Sequence, residues 1–321
     1  MCRWRRSSGA SALASPGAAP RGSRPVIVGA GEVLWDVFPD GEHFGGAPAN
    51  VAVHAAALGA DAAMVSAVGQ DARGDAALKQ LRAVGVVCSA VARLPDHPTG
   101  VVRVSVDAKG LPSYDIAAGS AWDFIPLTSA VEHMAQRADA ICFGTLAQRS
   151  PISRATIRRA VAGTREPAWR LFDVNLRQNY YDADVVIDSL ELANAVKLNE
   201  EELAAIARLC RLESATVVEQ LRELSQRFGL KLAALTRGAG GSLLVSNQGV
   251  CEAPAPPTKI VDTVGAGDAF TAALLVGILV GRSLDEVNRS ANAVAAYVCS
   301  QPGATPPLSS SVRLSVAKGT R

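Results

Sequence analysis

Six short runs rich in aliphatic and β-branched residues recur along the chain: PVIVGA (25–30), AAMVSAV (62–68), DAICFG (139–144), RLFDV (170–174), NAVKLN (194–199) and KLAALT (231–236). Segments with helical spacing, such as PANVAVHAAALGA, RGDAALKQLRAVG, SRATIRRAVAG and EEELAAIARLCRL, fall between most of them. A strand covered on both faces reads as a nearly continuous apolar run, whereas a half-exposed strand alternates. Buried strands separated by helices therefore predict a parallel sheet with helices on both sides. The 321 residues suffice for one such domain.

One region breaks the rhythm. TGVVRVSVDAKGLPSYDIA (99–117) alternates as a half-exposed strand does, with a turn near Lys109–Gly110 and no intervening helix. DVFPDGEHFGG (36–46) is expected to add another strand. Ligands of open α/β sheets bind beyond the carboxyl ends of the strands. A small sheet formed by about 36–46 and 97–118 would make a lid there. We find no internal repeat and no linker that would divide the chain.

Composition narrows the partners. With 49% apolar residues, 19% charged residues and a formal net charge of +2, the chain has neither the basic stripe of a nucleic-acid binder nor that of an acidic-membrane binder. The six cysteines are scattered without metal-site spacing, as in a reduced cytoplasmic protein. No apolar run approaches the roughly 18 residues of a membrane span. Residues 1–24 are small, polar and basic, and 311–321 are short and polar; both are expected to be tails. Gly and Pro interrupt the one stretch that could serve as a signal-peptide core.

Chemistry concentrates in VDTVGAGDAF (261–270). A helix starting near Gly265–Ala266 leaves its first N–H groups unpaired and partly positive. Gly265 and Gly267 carry no side chain to block an approaching anion. Asp268, beside that positive end, can accept a proton from a hydroxyl while the amides hold a group in transfer. Taken alone, the motif is equally a tight loop whose acid complements the helix dipole. Gly45 and Gly46 allow close backbone approach, Asn50 offers both a donor and an acceptor, and Asp36 can accept two hydroxyl hydrogen bonds. Asn199 and Glu202 share one face of a starting helix, as a simple cap would. Arg177, at the end of FDVNLR, can hold a phosphate bidentately or form a surface ion pair. VIVGAGEVL lacks the third glycine of a dinucleotide fingerprint, and no P-loop pattern occurs.

FGGAPANVAVHAAALGA (44–60) and DTVGAGDAF (262–270), in this order and far apart, resemble the two signatures of the PfkB-type carbohydrate kinases, the ribokinase family. The resemblance extends over about residues 25–310 and implies a ribokinase-like three-layer α/β/α fold, with a mainly parallel central sheet and a small β lid. It implies ATP-dependent phosphorylation of a sugar hydroxyl, with Mg2+ bridging the phosphates. Asp268 is then the catalytic base, and the Gly265, Ala266 and Gly267 amides are the anion hole. Asp36, Gly45, Gly46, Asn50 and Arg177 would bind sugar or phosphate. Asn199 and Glu202 would order metal and phosphates through water. Thr236 and Gly238 would meet phosphate or ribose, and Asn292 the adenine. A K+ ion held by backbone carbonyls of Asp262, Val264, Val298, Gln301 and Gly303 is also implied. Several motifs look most like bacterial fructokinases, which favours fructose; ribose, 2-keto-3-deoxygluconate and a nucleoside stay open. So does a catalytically silent sugar or nucleotide binder on the same fold. The apolar alternation of the lid strands needs cover, so a homodimer joined through the lids is expected.

Overall fold

The computed structural model describes residues 24–39, 41–106 and 112–317. In chain order the elements are β1 (Val26–Ala30), β2 (Leu34–Phe38), β3 (Gly41–Gly45), α1 (Ala47–Ala57), β4 (Asp61–Gly69), α2 (Ala72–Ala83), β5 (Val87–Leu94), β6 (Gly100–Val106), β7 (Pro112–Ile116) and α3 (Ser129–Arg137). They continue with β8 (Ala140–Phe143), α4 (Pro151–Ala162), β9 (Trp169–Asp173), α5 (Ala183–Leu192), β10 (Ala195–Asn199), α6 (Glu200–Cys210), α7 (Val217–Phe228) and β11 (Leu232–Thr236). The last are β12 (Ser242–Ser246), β13 (Gly249–Ala253), α8 (Ala266–Leu279), α9 (Leu284–Cys299) and α10 (Ser310–Ala317).

Nine strands form the central sheet in the order β13-β12-β11-β10-β9-β8-β1-β4-β5. Pairing is parallel from β11 through β5, and at one edge β12 pairs antiparallel with both β11 and β13. The continuous apolar runs are explained by two separate cores. Along β8, Ala140 and Cys142 face one core and Ile141 and Phe143 the other. Residues of α1, α2, α8, α9 and α10 join the first core, and residues of α3 to α7 join the second. The three-layer arrangement expected from the sequence is therefore the one observed. All of Ala269–Leu279 in α8 is buried, which accounts for the long apolar run after the glycine motif.

The lid is a separate four-stranded sheet in the order β3-β2-β6-β7. Its β6–β7 hairpin is the one the alternation predicted, though the expected turn at Lys109–Gly110 lies outside the described residues. Segment 36–46 supplies two strands instead of one. The lid is tied down at both edges. Arg73 of α2 holds Glu42 of β3 through two hydrogen bonds of 2.6 and 3.1 Å. Across the sheet, Gln178 Nε2 donates to the Tyr114 carbonyl (2.5 Å) and Tyr180 Oη to the Ile116 carbonyl (3.3 Å) of β7.

Two expectations are corrected. Of segment 311–321, expected to be a tail, residues 311–317 belong to α10, and 318–321 lie outside the described residues. Val316 is fully buried there, and Arg282 donates to the carbonyls of Ser315 and Val316. Strands β5 and β13 had no counterpart in the sequence reading. Both contain exposed or half-exposed positions, so neither shows the continuous apolar run used to find the others. Residues 1–23, expected to form the N-terminal tail, lie outside the described residues.

Candidate active site

Two helix N-termini meet beyond the carboxyl ends of the parallel strands. Gly265 caps α8 with φ +77°, and Gly46 caps α1 with φ +110°; both are left-handed conformations that favour glycine. Each glycine is also needed for space. A methyl group on Gly265 would overlap the Ala304 carbonyl oxygen, and one on Gly46 the Glu32 carbonyl oxygen. Gly45 leaves room for Asp36, whose Oδ2 would lie 2.6 Å from a Cβ at that position.

The two motifs, far apart in sequence, touch directly: Asn50 Nδ2 donates to Asp268 Oδ2 at 2.8 Å. Asn50 is 4% exposed, and its Oδ1 is buried with no protein partner. An orphaned acceptor beside a half-buried carboxylate suits an incoming hydroxyl, which would donate to one group and lie near the other. Burial pushes the Asp268 carboxyl up to about 6; Asp173 raises it further, while Asn50, Lys197 and Arg177 hold it down. It therefore stays mostly ionised at neutral pH, close enough to its titration to accept a proton.

Asp36 sits in mid-strand on β2, opposite His43 of β3. Burial raises it to about 6, opposed by Arg177 and His43. Glu32, which sequence reasoning missed, lies just after β1, 3% exposed, and accepts the Ala47 N–H at 3.3 Å. Burial raises its carboxyl to about 7, with Asp268 adding to the rise and Arg177 opposing it. Arg177, on the exposed loop after β9, is thus a shared counter-ion of Glu32, Asp36 and Asp268.

The nucleotide-side residues fall along the same rim. Asn199 and Thr236 end β10 and β11 and are register partners. Asn199 and Glu202 form a full capping box, with both bonds at 2.8 Å. Glu202 also accepts the Leu176 N–H at 3.1 Å, so each carboxylate oxygen holds a backbone amide. That arrangement leaves it fit for a metal only through water. Among the described residues, no group of three or more His, Cys, Asp or Glu side chains is placed to hold a metal ion. Gly238, with φ +52°, opens the turn between β11 and β12. Asn292 departs from expectation: it is buried, and its amide nitrogen is engaged by Ser242 Oγ (2.6 Å) and the Asn288 carbonyl (2.9 Å). Its amide nitrogen is therefore committed to the seam between α9 and β12 and is not free for a base.

The loops named for a monovalent cation are stapled together. Asp262 accepts the Val264 N–H and the Gly303 N–H, each at 3.0 Å. Gln301 donates its N–H to the Val298 carbonyl at 3.0 Å. Behind them His54, 1% exposed, binds the Ala304 carbonyl through Nε2 at 2.9 Å. Burial lowers its pKa to about 4, so it is neutral and donates from Nε2. His54 stands one turn after Asn50 on α1, and that spacing is the only sequence signal that could have revealed it.

Comparison with known proteins agrees with this geometry. Residues 28–311 match the pfkB family carbohydrate kinase model. An uncharacterized sugar kinase of Pyrococcus horikoshii is 32% identical over 279 residues, covering 84% of this chain and 85% of that protein. Its structure in complex with ATP superposes with a TM-score of 0.73, at 29% identity, over 87% of this chain and 94% of that one. A fructokinase of Klebsiella pneumoniae is 32% identical over 260 residues, 77% of this chain and 82% of that protein. The fructokinase of Vibrio cholerae O395, solved with fructose, ADP and a calcium ion, has a TM-score of 0.76 and 27% identity, covering 88% of this chain and 94% of the other. With the family model spanning nearly all of the described residues, the chain belongs to the pfkB family of carbohydrate kinases.

Proposed function

We propose that the chain transfers the γ-phosphoryl group of ATP to a sugar hydroxyl, with fructose to fructose 6-phosphate as the leading reaction. The observation that carries this reading is the Asn50–Asp268 hydrogen bond, which places a half-buried base next to an unpartnered acceptor and in front of two helix N-termini. A sugar hydroxyl held between Asn50 and Asp268 gives its proton to Asp268 as its oxygen attacks phosphorus. The Gly265, Ala266 and Gly267 amides receive the charge that develops on the transferring group. Asp36 and Gly46 grip the remaining hydroxyls, and Arg177 balances the local carboxylates and meets the phosphate. Thr236 and Gly238 border the nucleotide. A magnesium ion, entering with the nucleotide and ordered by Asn199 and Glu202 through water, would supply charge neutralisation across the phosphates. The stapled 262–264 and 301–304 loops support a K+ ion next to the anion hole. Closing the lid keeps water away from ATP.

Two further assignments belong to this reading. The β3 edge of the lid sheet pairs with no strand among the described residues, which supports a homodimer through the lids; a monomer in light scattering at micromolar concentration would contradict it. Among the described residues five cysteines are free, which supports a cytoplasmic enzyme, and no helix is long and apolar enough to cross a membrane.

The test is ADP release with a panel of fructose, ribose, 2-keto-3-deoxygluconate and adenosine, followed by NMR to locate the phosphorylated carbon. Asp268→Asn should bind ATP normally yet lose at least about a thousandfold in kcat. Near-normal turnover in that variant would remove Asp268 from the mechanism. Ligand-induced thermal shifts in the wild type without ADP release would point to a silent binder.

A further inference from the structure

Lys197 is the one charged residue in the otherwise apolar β10. Its side chain is 9% exposed, and Nζ lies 3.0 Å from Oδ1 of Asp173, itself 4% exposed. The second oxygen of Asp173 accepts the hydroxyl of Thr271 at 2.9 Å, three residues beyond Asp268 on α8. Nζ also abuts the first turn of α8, where a Cβ built on Gly267 would lie 3.0 Å from it. One ammonium therefore links β9, β10 and the front of α8. Burial alone would strip its proton, but Asp173 first, then Glu202 and Asp268, keep it charged.

That placement is unusual on two counts. A helix N-terminus favours anions, and here a cation is pressed against one, which adds to the positive field instead of offsetting it. A buried ion pair is also a poor source of stability, since apolar residues of similar volume serve a strand as well or better. The pair is net neutral, and its cationic end, the Lys197 Nζ, is what lies against Gly267 at the front of α8. We propose that Lys197 is a positioning residue for phosphoryl transfer: paired with Asp173 and Thr271, it fixes the first turn of α8 and keeps that turn positive beneath the group in transfer. It acts through the Gly265–Gly267 amides and Asp268, so the inference rests on their assignment above.

The groups facing Asp268 come from every neighbouring element. Asn50 donates from α1, Asp173 approaches from β9, Lys197 from β10, Arg177 from the loop after β9, Glu32 from the loop after β1, and the Cys142 thiol from β8. Of the charged ones, Asp173 and Glu32 disfavour an ionised Asp268, whereas Lys197 and Arg177 favour it. Loss of the Lys197 charge therefore raises the pH at which Asp268 becomes protonated.

The experiment compares wild type, Lys197→Met, Lys197→Arg and Asp268→Asn as full-length chains. Melting is measured, and ADP release is followed from pH 5 to 9 with the panel sugar that wild type phosphorylates fastest. Lys197→Met should lose roughly 30-fold or more in kcat, comparable to weakening an anion-hole donor, with both KM values within about threefold. Its acid limb should move up by about half a pH unit or more. Lys197→Arg, which keeps the charge, should recover part of kcat. If Lys197→Met fails to fold because Asp173 is left unpaired, Lys197→Met with Asp173→Asn removes both charges; it should fold and still lose about 30-fold in kcat. A folded single or double variant with kcat within threefold of wild type overturns the proposal, and so does a loss confined to KM. An active Asp268→Asn would instead sink the underlying base assignment, whatever Lys197 does.

Discussion

Replacing Gly265 with alanine probes the anion hole at its tightest point. The new methyl group would overlap the Ala304 carbonyl oxygen and come within 2.7 Å of its Cα and 2.8 Å of its carbonyl carbon. These are backbone atoms, so no side-chain rotation relieves the overlap. Ala304 is itself held, because its carbonyl accepts the hydrogen bond from buried His54. A non-glycine residue at φ +77° costs about 1–2 kcal/mol. Displacing Ala304 leaves a buried imidazole N–H unpaired, for about 1–3 kcal/mol more. The variant should therefore melt roughly 3–7 °C lower than wild type. If α8 relieves the strain by tilting its first turn, one donor to the transferring phosphoryl is misplaced, which costs about 2.7–4 kcal/mol, or roughly 10²–10³ in kcat. Gly267→Ala is the internal control: its Cβ meets the Lys197 side chain and no backbone atom, and its own backbone is helical, so its melting temperature should fall less. The assay is steady-state ADP release, with circular dichroism to confirm folding. A folded Gly265→Ala enzyme turning over within threefold of wild type would refute the anion-hole assignment.

The remaining predictions concern charge. In the free enzyme kcat/KM should fall as pH drops through about 6, where Asp268 takes up a proton; Arg177→Met should move that limb upward, since a cation that favours the carboxylate is lost, and an unmoved limb would place Arg177 away from Asp268. His54 and Glu32 should oppose each other in the pH dependence of stability. His54 titrates near 4 in the fold against 6.5 unfolded, so its contribution is present above 6.5 and is lost as pH falls towards 4, about 3 kcal/mol in all. Glu32 titrates near 7 in the fold against 4.5 unfolded, so it contributes stability below 4.5 that is lost as pH rises through 7, again about 3 kcal/mol. Urea midpoints at pH 5 and 8 should show His54→Gln gaining on the acid side relative to wild type and Glu32→Gln losing; equal shifts in both variants would contradict this.

Local features were legible in the sequence and distant partnerships were not. GAGD announces a helix start, a bare backbone and an acid within four residues, and the structure places all three there. That Asn50 would donate to Asp268 could not be read, because 218 residues separate them and only the packing of α1 along α8 brings them together. Lys197 did leave a trace, as a charge inside an apolar strand, but its partner Asp173 lies on a different strand 24 residues away. Helix α10 shows half-buried Val312 and buried Val316 one turn apart, too short a repeat to outweigh the polar residues around it. Asn292 was misplaced because the sequence does not reveal that Asn288, one turn earlier, joins it in sealing the seam to Ser242.

The charges around the cleft also account for how it can be both acidic and built for phosphate. Glu32, Asp36, Asp173, Glu202 and Asp268 border it against Lys197 and Arg177, and each helix N-terminus adds only about half a positive charge. A triphosphate entering alone would be repelled. Two features lift that barrier. Glu202, with both oxygens on backbone amides, is held in place where the proposed magnesium ion would meet it through water. Glu32, raised to about 7 by burial, carries a proton much of the time at neutral pH and so withholds its charge where the phosphoryl group must pass. Asp268 differs from Glu32 in that Asn50 and Lys197 favour its ionised form, whereas Arg177 favours the ionised form of both. The same pocket thus holds one carboxyl about half protonated at neutral pH and its neighbour mostly ionised, and the Asn50 hydrogen bond and the Lys197 cation favour that difference.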